Sequence, residues 1–99
     1  MNVANIENYA QDNETGLYYF QNPRCPHCTN FEPIWDSIQI PNIIKHKINT
    51  ADAIGEQMSN LYNITKIPTI MYIGKEGHTL YNGPNTRDAI TAFAKEMSK

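Results

Sequence analysis

Apolar residues along this chain switch between short continuous runs and spaced stripes. Leu17 to Phe20, after Thr15-Gly16, is an unbroken apolar and β-rich run, the pattern of a central strand buried on both faces. The stretch before it, Asn5 to Asn13, is polar with few apolar positions and predicts a short surface helix. Asn22-Pro23 breaks the strand, and Pro26 sits where a first helical turn tolerates proline, because the missing amide hydrogen would be unpaired anyway. Phe31, Ile34, Trp35 and Ile38 then recur at i, i+3, i+4 and i+7, a core-facing helical stripe. Pro33 within it predicts a kink, since it lacks a donor and crowds the carbonyl four residues back.

Pro41-Asn42 ends that helix, and Ile43 to Ile48 reads as a second strand with one lined face. Ala51 to Tyr62 carries Ile54, Met58, Leu61 and Tyr62 at helical spacing and predicts an amphipathic helix. Lys66 to Ile73 is a β-branched run interrupted by Pro68, and Gly74 to Gly77 turns it back into His78 to Tyr81 as a hairpin. A loop from Asn82 ends in Thr86 as a cap, and Ile90, Phe93, Ala94 and Met97 stripe a last helix. The order is α-β-α-β-α-β-β-α, with no internal repeat and no low-complexity segment.

The chain has 99 residues, so a single small domain over 1–99 with one core is expected. A hydrophobic share of 40% against 18% charged is that of a packed globule rather than a disordered tail. The net charge is −2 and the only basic cluster is Lys45-His46-Lys47, which leaves no electrostatic footprint for nucleic acid. Met1 to Glu14 has neither a positive n-region nor an apolar h-region, and no run approaches membrane-spanning length. A cytoplasmic, monomeric protein without a membrane partner is the expectation.

The chemistry centres on Cys25-Pro26-His27-Cys28, the chain's only thiols. Two cysteines separated by two residues can close and reopen a disulfide and so carry two electrons. As an inert staple the pair is poor, because so short a loop removes little entropy from the unfolded chain. Cys25 falls at a helix N-terminus, where partial positive charge and free amides favour a thiolate, while Cys28 lies one turn inside and is better shielded. Cys25 is therefore the expected nucleophile. His27, and Arg24 if it turns inward, would add positive charge and lower its pKa below the free value of about 8.5. Stabilising the thiolate stabilises the reduced dithiol, which makes the disulfide a better oxidant.

A strand running into a Cys-x-x-Cys helix, then a strand, a helix, Ile67-Pro68-Thr69 and a closing hairpin and helix resembles the thioredoxin superfamily over nearly the whole chain. Pro33, five residues after Cys28, is similar to its helix-kinking proline. Pro68, about forty residues after Cys28, is similar to its cis-proline. Cys28-Thr29-Asn30-Phe31-Glu32-Pro33-Ile34-Trp35, with Tyr81, Gly83, Pro84 and Thr86, resembles protein disulfide isomerase catalytic domains, whereas Pro26-His27 is the dipeptide of DsbA-type proteins. The resemblance implies an α/β thioredoxin-like fold, a central mixed sheet of about four strands with helices on both faces.

It also implies a thiol-disulfide oxidoreductase in which Cys25 attacks, Cys28 releases the mixed disulfide, and protein thiols and disulfides are the substrates. Glutathione or a thioredoxin-reductase-like protein would be the recycling partner, and neither cofactor nor metal is called for. Ile67 and Pro68 would present backbone groups to an extended substrate peptide. The family's buried acid, six residues before the first cysteine, is replaced by Tyr19, a poor proton acceptor at neutral pH. Glu32, four residues after Cys28 and on the same helical face, is the substitute, matched in DsbA-type proteins. Lys47 matches the strand lysine that pairs with the missing acid and, without it, is left facing solvent. His46 and His78 read as surface residues without a role.

Three other functions compete. A glutaredoxin-like reductase using glutathione is disfavoured by Ile67 before the proline, where that family usually has valine, and by the absence of its Gly-Gly pair near the last helix. A metal or iron-sulfur module would need His27 or a second chain to complete its ligands. A noncatalytic binding domain would use the groove at Ile67 and Pro68 but has no need of the intact cysteines.

Overall fold

β1 (Gly16–Gln21) is buried at every position and organises the molecule. The structure is a computed structural model that describes residues 14–99, so the helix expected over 5–13 lies outside the described residues. β1 is followed by α1 (Pro26–Ser37), β2 (Lys45–Asn49), α2 (Ala53–Leu61), β3 (Thr69–Gly74), β4 (Gly77–Leu80) and α3 (Arg87–Met97). The strands form one mixed sheet in the order β2-β1-β3-β4. β2 runs parallel to β1, while β3 is antiparallel to both β1 and β4.

Both faces of β1 are covered, which is why its sequence shows no alternation. Leu17 and Tyr19 join Phe31, Trp35 and Ile38 of the α1 segment, Ile70 and Tyr72 of β3, and Ile90 and Ala94 of α3 in one core. Tyr18 and Phe20 point the other way, to Met71, Ile73 and Met58 of α2. The expected fold is present: four strands between α1 and α3 on one face and α2 on the other.

Several edges differ from the sequence reading. β2 begins at Lys45 rather than Ile43, because Asn42 turns with φ 69° and Ile43 is spent closing that turn on Ile40. Ile44 is left 54% exposed. β3 starts at Thr69 rather than Lys66, since Pro68 has no N–H to give the ladder. In α2 the expected stripe is displaced. Met58 is buried, but Ile54 and Leu61 are 54% and 53% exposed, and the helix seats itself through buried Gly55 instead. Asp52 caps α2, its Oδ1 accepting from Gly55 N at 2.8 Å, and Thr86 caps α3 as expected. Asn63, with φ 57°, ends α2 in the left-handed conformation while Ile64 N–H reaches back to the Ser59 carbonyl.

Candidate active site

The cysteines sit where β1 hands over to α1. Cys25 is the N-cap of α1, with extended backbone, and Pro26 opens the first turn. The backbone N–H of Cys28 donates to Cys25 Sγ at 3.2 Å, so the sulfur takes the place that a Ser or Asp oxygen fills in an ordinary cap. A sulfur held there gains most as an anion, because the amide it receives and the helix dipole both favour negative charge. Cys25 is part-exposed, whereas Cys28 is 1% exposed.

The two thiols are pushed apart in acidity. The hydrogen bond from the Cys28 thiol, aided by the backbone amides of Cys28 and His27, holds Cys25 below the ordinary thiol range against the opposing effect of burial. Burial first, then the Cys25 hydrogen bond and the Cys25 and Glu32 charges, push Cys28 up to about 11, against a backbone hydrogen bond from Asn22. His27 acts on Cys25 through its backbone amide. Pro26 and His27 are exposed.

Below the pair lies a hydrogen-bonded chain. Tyr19 and Lys47 are register partners on parallel β1 and β2, so their side chains share the sheet face that α1 covers, and Glu32 reaches down from α1 between them. Tyr19 Oη is 2.9 Å from Glu32 Oε2 and 3.1 Å from the Cys28 carbonyl oxygen. Lys47 Nζ is 2.6 Å from Glu32 Oε1. Lys47 is exposed, as expected, but it is not left without an acid. The acid it pairs with comes from α1 instead of β1. Burial alone would raise the Glu32 carboxyl, but hydrogen bonds from Lys47 and Tyr19 and the Lys47 charge outweigh it and hold the group below the usual range. Burial and the Glu32 carboxylate push the Tyr19 phenol well above its ordinary value, so its proton stays on.

The Ile67–Pro68 peptide bond is cis. Phe20 pairs with Thr69, so Pro68 lies just beyond the end of β1 that leads to Cys25. Pro68 lines an open groove of about 240 Å3 with Lys66, Thr69, Leu80, Tyr81 and Asn82. Ile67 does not line it; its side chain packs against the core on the α2 face. A larger concavity, about 600 Å3, lies around the β3–β4 turn and the end of α3, with no cysteine on its walls. Among the described residues no three His, Cys, Asp or Glu side chains gather as a metal would require.

Two further residues depart from the sequence reading. His46 is not a plain surface residue: its ring stacks on Tyr18 at 4.2 Å, its side chain is 17% exposed, and burial lowers its pKa. Lys45, given no role, caps the C-terminal end of α1, donating to the Trp35 and Ile38 carbonyls at 2.8 Å each, with Nζ 4.7 Å from the Trp35 ring centroid. The β2 register that places Lys45 and Lys47 on the α1 face was the missing signal.

A parallel–antiparallel four-stranded sheet whose first strand delivers a Cys-x-x-Cys helix start beside a cis-proline defines a thioredoxin-type domain. The family model described as Thioredoxin matches residues 1–96, and the chain belongs to the thioredoxin family. It is similar to Protein disulfide-isomerase A4 of Homo sapiens, 30% identical over 105 residues covering 100% of this chain and 16% of that protein. Protein disulfide-isomerase A4 of Bos taurus is 32% identical over 106 residues, again covering 100% and 16%. The chain therefore spans about a sixth of the length of these curated relatives. Among solved structures, the first thioredoxin domain of mouse Protein disulfide-isomerase A4 superposes with a TM-score of 0.79 at 28% identity, over 100% of this chain and 74% of that one. Fasciola hepatica thioredoxin gives a TM-score of 0.70 at 19% identity, covering 95% and 92%, a likeness of fold alone.

Proposed function

We propose that the chain is a thiol-disulfide oxidoreductase acting on protein thiols and disulfides, with Cys25 as nucleophile and Cys28 as the resolving thiol. The observation that carries this reading is the Cys25 sulfur serving as the N-cap of α1, accepting the Cys28 N–H, with a buried thiol beside it. An exposed stabilised thiolate next to a shielded protonated thiol is the asymmetry that attack followed by release needs. Pro26 sets the helix start that aims the amides at Cys25, and His27 contributes one of them. Pro68 and the backbone of Ile67 contact the substrate peptide along the adjoining groove. Glu32 receives the Cys28 proton.

The lowered Cys25 pKa stabilises the reduced form, so the couple is more oxidising than thioredoxin, whose potential is about −270 mV. Equilibration with glutathione tests this: a potential at or below about −270 mV overturns the oxidising assignment. Insulin reduction and dithiol oxidation should both vanish in Cys25→Ser, and retention of either activity would overturn the nucleophile. Faster turnover of a glutathione mixed disulfide than of insulin would favour a glutaredoxin-like reductase instead.

A further inference from the structure

Tyr19 occupies the place where an acid would serve as proton acceptor, yet its own proton is fixed. What its position provides is two acceptors for one hydroxyl. Tyr19 Oη lies 2.9 Å from Glu32 Oε2 and 3.1 Å from the Cys28 carbonyl oxygen, and the side chain is fully buried. A phenol both donates and accepts. When Glu32 is ionised, the hydroxyl proton is shared between carboxylate and carbonyl. When Glu32 is protonated, it can donate to Tyr19 Oη while Tyr19 gives its own proton wholly to the Cys28 carbonyl. Neither state leaves a buried polar group unpaired, which is the condition for a half-buried carboxyl to change charge cheaply.

The other groups facing Glu32 are Lys47 from β2, 2.6 Å from Oε1, and the Cys28 thiol one turn earlier on α1, whose acidity the Glu32 charge affects. Lys47 is 45% exposed and holds the carboxyl from the solvent side. Among the described residues, Tyr19 alone holds it from the side of the cysteine. The Tyr19 ring is locked by Phe31 at 5.1 Å and Trp35 at 5.0 Å, so the hydroxyl is a fixed point.

We infer that Tyr19 is a positioning residue: its hydroxyl keeps Glu32 beside Cys28 in both protonation states, so that the carboxyl can take the resolving cysteine's proton. This rests on the oxidoreductase reading above. In the mixed disulfide, Cys25 Sγ is bonded to a substrate sulfur. Cys28 passes its proton to Glu32, its sulfur bonds to Cys25 Sγ, and the bond to the substrate breaks with the electron pair leaving on the substrate thiolate. The substrate gains two electrons, the Cys25–Cys28 disulfide forms, and Glu32 carries the proton until solvent or the departing thiolate takes it.

The test mixes reduced protein with an aromatic disulfide whose released thiolate is coloured. The first release reports Cys25 attack, the second the Cys28 step, and carbon NMR of labelled Glu reads Glu32 separately. In Tyr19→Phe the Glu32 midpoint should rise by about one pH unit, the margin by which a hydrogen bond to the charged carboxylate outweighs one to the neutral carboxyl, and the acid limb of the second release should move with it. Glu32→Gln should slow the second release by about tenfold or more, within the range of general base catalysis, and adding Tyr19→Phe should slow it no further. An unmoved Glu32 midpoint in Tyr19→Phe, or multiplying effects in the double variant, overturns the proposal. A purely structural Tyr19 would give both. If Tyr19→Phe does not fold, the Tyr19 ring carbon bearing the hydroxyl should shift with the Glu32 midpoint in the unmodified protein, and its failure to do so also overturns it. Absence of a second release in the unmodified protein would instead sink the oxidoreductase reading, with the NMR titration still deciding the Tyr19–Glu32 pairing.

Discussion

A methyl group on Gly55 would overlap the carbonyl oxygen of Asn49, so α2 meets the end of β2 backbone to backbone. The neighbour is main chain and cannot swing aside as a side chain would. Gly55→Ala should therefore cost stability at the upper end of the 1–3 kcal/mol, roughly, seen for overpacked cores. Ile54→Ser, one residue away at a position 54% exposed, should stay within about 0.5 kcal/mol. Urea unfolding of the two variants decides the point, and a costly Ile54→Ser with a tolerated Gly55→Ala would mean that α2 is seated by the apolar stripe after all.

That inversion shows what periodicity can and cannot convey. Strands and helices with large side chains in contact were legible: Leu17 to Phe20 as a two-faced strand, and Phe31, Trp35 and Ile38 as one seam. A helix docked through a missing side chain leaves no apolar mark, so Ile54 and Leu61 were assigned to a core they only border. The site divides the same way. Cys25 at a helix start follows from local sequence, whereas the Lys47–Glu32–Tyr19 chain needs the register that pairs Tyr19 with Lys47, which no local pattern encodes.

The Cys28 N–H on Cys25 Sγ and the burial of Cys28 predict strongly unequal thiols. At pH 7 iodoacetamide should modify one thiol per reduced chain quickly and the second very slowly, because Cys25 is held below the ordinary range and Cys28 is pushed up to about 11. Mass spectrometry of the product should place the label on Cys25. Equal labelling of both residues would contradict the asymmetry.

The same shifts give the reduced protein a pH-dependent advantage over the disulfide form, which has neither thiol to titrate. The Cys25 pKa is depressed on folding, so its contribution is present above the unfolded value of about 8.5 and lost as pH falls through the folded value. The Cys28 pKa is raised, so its contribution is present below about 8.5 and lost as pH rises toward about 11. The difference in unfolding free energy, reduced minus oxidised, should therefore peak near pH 8.5, roughly, and decline on both sides. A monotonic trend across that region in denaturant titrations would contradict one of the two shifts.

Lys47 and Glu32 are linked at 2.6 Å, but Lys47 is 45% exposed, so the pair should contribute less than about 1 kcal/mol to stability. The Glu32 pKa is depressed on folding, so that contribution holds above its unfolded value of about 4.3 and disappears as pH falls through the folded value. Lys47→Gln should accordingly change stability little at neutral pH and flatten its fall in acid. A loss of several kcal/mol at pH 7 would show that Lys47 supports the fold rather than the carboxyl.

Lys45 presents the opposite case, a lysine whose work is structural. Its ammonium donates to the Trp35 and Ile38 carbonyls at 2.8 Å each, the first of which also accepts the Ile38 N–H at 3.1 Å, and it lies 4.7 Å from the Trp35 ring centroid. Burial lowers its pKa, which marks the desolvation these contacts must offset. Removing the ammonium takes a charged donor from two carbonyls at the point where the chain leaves α1 for β2. Lys45→Met keeps the aliphatic reach and should cost about 1.5–3 kcal/mol in urea unfolding, the net worth of a charged hydrogen bond. Lys95→Met, on the exposed side of α3, should stay within about 0.5 kcal/mol as the matched control. If the two variants lose the same amount, the carbonyl contacts of Lys45 contribute nothing beyond those of a surface charge.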